Sequence, residues 1–204
     1  MRLNYKNPRA SRTRHWALLV TGVLFVAALI INAGVYYWIN FQGRFSTVTA
    51  GKVYRSGEMP LKNLLNSIRQ NKIQTVIDLR KTKYQPYIDA EHLFLSRFGI
   101  KHFHVPSSQI PAEETIDQFI KIMDEPNNFP VLIHCNDGEG RAVLFSAIYR
   151  IKYEAWDNDR ARRASRLITY GSSFSTNSRK GIFLQKYVPR RREMINQSHS
   201  KSKP

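Results

Sequence analysis

Only one of the 204 residues is cysteine, at position 135. An intrachain disulfide framework and a multi-cysteine zinc site are therefore excluded. Acidic residues are scarce: 15 Asp and Glu stand against 32 Lys and Arg, a formal net charge of +17. The imbalance points to anionic partners: nucleic acid, acidic lipid headgroups or phosphorylated substrates. No internal repeat is present, so a repeat array is excluded. Charge is missing altogether from residues 16–39, WALLVTGVLFVAALIINAGVYYWI. The rest of the composition, 42% hydrophobic and 12% aromatic, allows a packed core in one domain of ordinary size with extras.

The uncharged run predicts a transmembrane helix over 16–39. At 1.5 Å per residue it reaches about 36 Å, enough to cross a hydrocarbon core of about 30 Å. Trp16 lies at one end and Tyr36, Tyr37 and Trp38 at the other, where aromatic side chains suit the two interfaces. Asn32 is the one awkward residue. A cleavable signal peptide is the competing reading, but its apolar region is usually only about 7–15 residues long. Arg2, Lys6, Arg9, Arg12 and Arg14 precede the run, and only Arg44 and Lys52 follow closely. The positive-inside rule then places the N-terminus in the cytoplasm and the remaining chain outside, in the periplasm if the cell is bacterial. The expected divisions are a basic cytoplasmic segment 1–15, the span 16–39, a linker 40–51, a globular domain 52–190 and a disordered basic tail 191–204.

Within the globular part, strand-like and helix-like stretches alternate. A first strand is predicted near 52–55. Helical spacing follows at 61–70, 87–99, 111–125, 141–155 and 157–171, and short β-branched runs at 73–80, 100–105 and 129–135. Pro111 with Glu113 and Glu114 marks one helix start, and Gly99 marks a helix end. The alternation predicts an α/β domain: a central, mostly parallel sheet flanked by helices, preceded by one transmembrane helix. Arg160, Arg162, Arg163 and Arg166 read as a solvated or membrane-facing basic face.

The cysteine ends an apolar strand and opens a tight loop, HCNDGEGR (134–141). Ligands bind at that carboxyl edge of a sheet in open α/β folds. Gly138 and Gly140 let the backbone curl so that amides from Asn136 through Asp137, Gly138, Glu139, Gly140 and Arg141 point inward. Such a ring is a nest for an oxyanion, reinforced by the following helix N-terminus. The same field favours a thiolate at Cys135. Arg141 stands where its guanidinium can fork onto two phosphate oxygens. His134 is expected to support the loop rather than take a proton. The competing reading is a buried inert thiol in a strand–helix turn.

The pattern HCxxGxxR resembles the signature of cysteine-based phosphatases, the protein tyrosine and dual-specificity superfamily. VYRSGEMP (53–60), TVIDLR (75–80), FGIKHFHVP (98–106), FPVLIHC (129–135) and AIYRIKYEAWDNDRARR (147–163) look like the compact atypical dual-specificity group of bacteria, fungi and plants. The likeness covers residues 52–171 or so. It implies that Cys135 attacks phosphorus, that water then cleaves the phosphocysteine, and that Arg141 and the loop amides stabilise the transition state. It implies no metal and no cofactor. Arg55, Arg80, Ser107 and Ser108 fall in matching stretches and are candidates for the pocket, with salt bridges to Asp78 or a similar carboxylate as the equal alternative for the two arginines.

Two departures from the family matter. The Ser or Thr usual after the loop arginine is Ala142, which predicts a slow second step. The acid loop reads VPSSQIPAEE (105–114) and lacks the Asp many relatives place there. Asp137 is the candidate general acid, as in myotubularin-like phosphatases, with Glu113 or Glu114 as alternatives. The expected function is a membrane-anchored phosphomonoesterase acting on protein phosphotyrosine or on a phosphorylated lipid, glycolipid or inositol. The alternative is a weakly catalytic, pseudophosphatase-like module that holds phosphorylated ligands at the membrane. The span and the absence of a recognition motif argue against a nucleic-acid partner. Nothing in the sequence speaks to oligomeric state.

Overall fold

Backbone polar groups in an apolar medium must be paired within their own segment, and the uncharged run does this as one helix, α1 (Pro8–Asn40). Its stretch Trp16–Asn40 has a mean hydropathy of 2.5 and no buried side chain. Those are the length and composition of a membrane span, which signal sequences share. The awkward Asn32 is satisfied locally, its Nδ2 donating to Ala28 O at 2.8 Å. Tyr37 stacks on Phe41 with ring centroids 5.4 Å apart. This computed structural model describes residues 8–169 and 172–189. The chain divides into two compact units, Met1–Phe41 and Gln42–Pro204.

The second unit is built on a five-stranded sheet of order β1-β2-β5-β3-β4. The strands are β1 (Ser46–Thr49), β2 (Val53–Ser56), β3 (Thr75–Asp78), β4 (Lys101–His104) and β5 (Val131–His134). β1 is antiparallel to β2, and the other four strands run parallel. Side chains alternate faces along a strand. Val53, Ile77, Val131 and Ile133 therefore enter one core, and Tyr54, Val76 and Leu132 the other. The helices α2 (Leu61–Asn71) and α3 (Gln85–Ser96) bring Leu64, Ile68 and Leu95 to the second core. The first is filled from α4 (Glu113–Met123), α5 (Arg141–Tyr153), α6 (Asn158–Thr169) and α7 (Arg179–Lys186). Ten of the 13 residues of α5 are buried, which is why its sequence carries no polar stripe. Phe145 of α5 meets Phe119 of α4 edge to face at 4.9 Å between centroids.

Helix ends follow their local signals. Gly99 takes φ +69° just past α3, and Glu113 and Glu114 lie in the first turn of α4. Two elements depart from expectation. The linker reading of 40–51 gives way to β1, a short polar edge strand. It is held by Arg150 Nη2 on Val48 O at 2.8 Å and by a Thr49–Glu154 hydrogen bond. Beyond the last helix expected from spacing, 157–171, the chain forms one more, α7, whose Leu184 is fully buried. The basic face of α6 is also corrected in part. Arg162 is buried, paired with Asp159 at 2.7 Å and donating to Phe174 O at 3.0 Å. The expected tail 191–204 and the first seven residues lie outside the described residues.

Candidate active site

Three parallel strands end level, because Ser56 of β2, His134 of β5 and Asp78 of β3 stand in register. The ladder runs one step further: Cys135 N donates to Ser56 O at 3.3 Å and Leu79 N to His134 O at 2.9 Å. Cys135 is thus fixed at the carboxyl edge of the sheet, buried, one residue past β5. The chain then turns through Asn136–Gly140 into α5, with Gly140 as its N-cap.

The loop rests on the segment after β2. Gly138 has φ +72°, and a Cβ there would lie 2.6 Å from Gly57 N. A Cβ on Gly57 would lie 2.8 Å from Asp137 C. Only a pair of glycines lets the two backbones touch. Two arginines tie the outer carbonyls. Arg55, buried, donates to Gly138 O at 3.0 Å, and Arg44 donates to Asp137 O at 2.9 Å while pairing with Glu139 at 3.0 Å. Burial, with the charge of Arg150, lowers the Arg55 guanidinium to about 10, so it is still a cation at neutral pH. Arg141 is held from the far side, its Nη1 donating to Leu79 O at 2.6 Å. With the Asp137 and Gly138 carbonyls committed to arginine, the loop has the kind of turn in which backbone amides can face an anion.

Behind the loop lies a buried charge network. Arg80 is fully buried, with Nη2 at 2.7 Å from Asp78, 2.8 Å from Glu91 and Nη1 at 3.2 Å from Glu58. Glu91 Oε1 stands 2.9 Å from His134 Nε2 and 3.3 Å from His102 Nε2. Neither imidazole contact meets ideal hydrogen-bond geometry. Burial alone would lower the His134 pKa, but the Glu91 and Asp78 carboxylates outweigh it and raise it. Burial would likewise raise both carboxylates, yet His134 and Arg80 draw Asp78 and Glu91 below their usual range. Asp78, Glu91, His102 and His134 are also the types that ligate metal, within 4.8 Å of one another. Arg80 already pairs with both carboxylates at contact distance, so a divalent ion would meet a guanidinium beside it. The group does not fit a metal.

A family model described as a DSP-PTPase phosphatase fused to NAD+ kinase matches residues 31–181. The chain belongs to this phosphatase family. Inositol diphosphatase DSP3 of Arabidopsis thaliana is 28% identical over 116 residues, covering 55% of each chain. The dual specificity protein phosphatase TpbA of Pseudomonas aeruginosa is 24% identical over 111 residues, 53% of this chain and 47% of TpbA. The chain spans about half the length of the curated relatives it matches. Among solved structures, the core catalytic domain of the PP-IP phosphatase SIW14 from S. cerevisiae superposes with a TM-score of 0.59 at 24% identity. It covers 77% of this chain and 91% of its own, a likeness of fold.

The structure brings Cys135, Asn136–Gly140 and Arg141 together on one turn between β5 and α5, with His134 at the end of β5 directly before it. Asp137 is exposed on that loop, its Oδ1 accepting from Asn136 Nδ2 at 3.1 Å. Arg55 supports the loop from below. Arg80 does not extend the pocket: three carboxylates enclose it. Ser107 is buried, with its carbonyl 3.5 Å from Arg141 Nη1 and its hydroxyl donating to Ser108 O. Ser108 is exposed and bonds Ile110 O. Glu113 and Glu114 are exposed in the first turn of α4. Ala142 is fully buried, and the nearest hydroxyl in its helix, that of Ser146, bonds back to Ala142 O at 2.7 Å.

Sequence reasoning missed Arg44, Glu91, Gln109 and Lys180. Arg44 was counted only as a flanking charge. Glu91 interrupts the apolar stripe of α3 beside Ile88 and Leu95, and that placement of an acid was its one signal. Gln109 and Lys180 meet at Gly140 from segments 71 residues apart in sequence, with no local pattern linking them.

Proposed function

We propose that the protein is a cysteine-dependent phosphatase that hydrolyses phosphomonoesters through a phosphocysteine intermediate. The observation that carries this reading is the cradle itself. Cys135 stands at the strand end, its loop carbonyls are tied outward by Arg44 and Arg55, and Arg141 is held beside it. The Cys135 sulfur attacks phosphorus, and the phosphorus–oxygen bond to the leaving group breaks. Asp137 supplies the proton to that oxygen. Water then attacks phosphorus, the sulfur–phosphorus bond breaks, and Asp137 takes a proton from that water. Loop amides and Arg141 hold the three equatorial oxygens throughout. The names of the relatives support a phosphoprotein or an inositol pyrophosphate as substrate. The basic charge equally supports an anionic lipid headgroup, since each Lys or Arg near an anionic bilayer contributes about 1 kcal/mol. In this reading α1 anchors the enzyme, with the basic N-terminus in the cytoplasm and the catalytic unit on the outer side.

Ala142 favours a second reading, a binding module without turnover. Rapid acid quench of the full-length protein in detergent separates the two. A labelled phosphoryl group should appear on Cys135 in a burst, followed by a slow steady state. Ala142→Ser should raise the steady-state rate and shrink the burst, because a hydroxyl at the helix start can assist the second step. Absence of both label and phosphate release across phosphopeptides, phospholipids and inositol phosphates would establish the binding module.

The acid has its own test. Asp137→Asn should slow alkyl phosphates about 100-fold or more, the usual scale of general acid catalysis, and p-nitrophenyl phosphate far less. Equal slowing of both substrates assigns the proton to another group.

A further inference from the structure

Lys180 lies in the first turn of α7, and that turn is tightly determined. Ser178 caps it, its Oγ accepting from Gly181 N at 3.0 Å and donating to Ser173 O at 2.7 Å. A Cβ on Gly181 would stand 1.7 Å from Ser175 O, so only glycine lets the turn close there. Phe174, fully buried and held through its carbonyl by Arg162, lies 5.5 Å beneath the Lys180 ammonium. These contacts set the lysine against the phosphatase loop. Its Nζ is 3.1 Å from where a Cβ on Gly140 would be, and Gln109 Oε1 and Nε2 are 2.9 and 3.6 Å from the same point, Nε2 being the one of the two that can donate to an anion.

Lys180 is half-buried, yet its ammonium has no hydrogen-bond acceptor among the described residues. A half-dehydrated cation with unspent donors costs free energy unless something anionic comes to it. It is not needed to hold the loop, whose carbonyls Arg44 and Arg55 already tie. Burial lowers the ammonium's pKa, Cys135 opposes that shift, and Arg141 adds to it, which places Lys180 in the electrostatic field of the loop.

We propose that Lys180, with the Gln109 amide, forms a second anion subsite beside the loop. It receives a second phosphate of the same substrate while the first occupies the cradle. This rests on the loop being a phosphate cradle. The missing side chain at Gly140 is the gap through which the second phosphate reaches the ammonium.

Calorimetric titration of the full-length protein in detergent with EDTA tests this, using inorganic phosphate and pyrophosphate as probes. The wild type should bind pyrophosphate about tenfold more tightly than phosphate or better, the scale of one charge-assisted hydrogen bond. Lys180→Ala should bring the two affinities within about twofold by weakening pyrophosphate far more than phosphate, with the melting temperature unchanged. Lys180→Arg should keep the preference, and Gln109→Ala should reduce it in part. The subsite is overturned if the wild type binds phosphate without preferring pyrophosphate. It is equally overturned if Lys180→Ala keeps the preference or weakens both ligands alike. A wild type that binds neither ligand instead removes the phosphate cradle.

Discussion

Replacing Cys135 with serine is expected to reduce phosphate release by about four orders of magnitude or more, while phosphate binding persists. The substitution changes one atom at the end of β5. A serine hydroxyl stays protonated at neutral pH, so the attacking lone pair is lost, and no base stands beside it in this mechanism. The cradle is made of other atoms. The Gly57–Gly138 contact, the arginine ties on the loop carbonyls and the Arg141 hydrogen bond to Leu79 O do not involve sulfur. Folding stability should therefore shift by no more than about 1 kcal/mol, the ordinary scale of a near-isosteric change. Phosphate release, phosphate affinity and melting temperature, measured on one preparation, check all three. A serine variant with wild-type turnover would place the nucleophile elsewhere and end the phosphocysteine reading.

The part of this site that sequence conveyed is the part confined to one short segment. HCNDGEGR carries the candidate nucleophile, the turn and the candidate phosphate-binding cation within eight residues, and its geometry is set by nearest neighbours. The central strands were legible for a related reason: Val, Ile and Leu on both faces state that both faces are covered. What escaped is set by contacts between distant segments. β1 is only four residues, three of them polar, and its stability comes from pairing with β2 and from Arg150 rather than from composition. α7 hides in a polar stretch because only Gly181 and Leu184 of its eight residues are buried. Arg80 stayed open between pocket and salt bridge because an arginine at a strand end looks the same whether it meets a ligand or three carboxylates. The carboxylates come from the segment after β2, from β3 and from α3, and no spacing rule joins them.

Removing one of those carboxylates has the other large expected effect. Glu91→Ala should destabilise the catalytic unit by about 3–5 kcal/mol, the usual result of stripping one partner from a buried ion pair. It leaves Arg80 with Asp78 and Glu58, and leaves His134 and His102 facing an emptied volume. Glu91→Gln keeps the volume but not the charge, and it isolates the electrostatic part through pH. The His134 pKa is raised in the folded protein, so its contribution is complete below the ordinary imidazole value of about 6.5 and fades as pH rises through the raised value. Asp78 and Glu91 are lowered, so theirs is complete above ordinary carboxylate values of about 4 and fades as pH falls through the lowered ones. All three act together only in the mildly acidic window between. The wild type should therefore lose melting temperature on the alkaline side of that window. Glu91→Gln should be less stable within it and lose less beyond it, because His134 then has less charge to gain from. Parallel wild-type and Glu91→Gln profiles would mean that Asp78 alone holds the imidazolium. Since His134 directly precedes Cys135, the same variant should also lower turnover, with the loss largest where the wild-type imidazole is still charged.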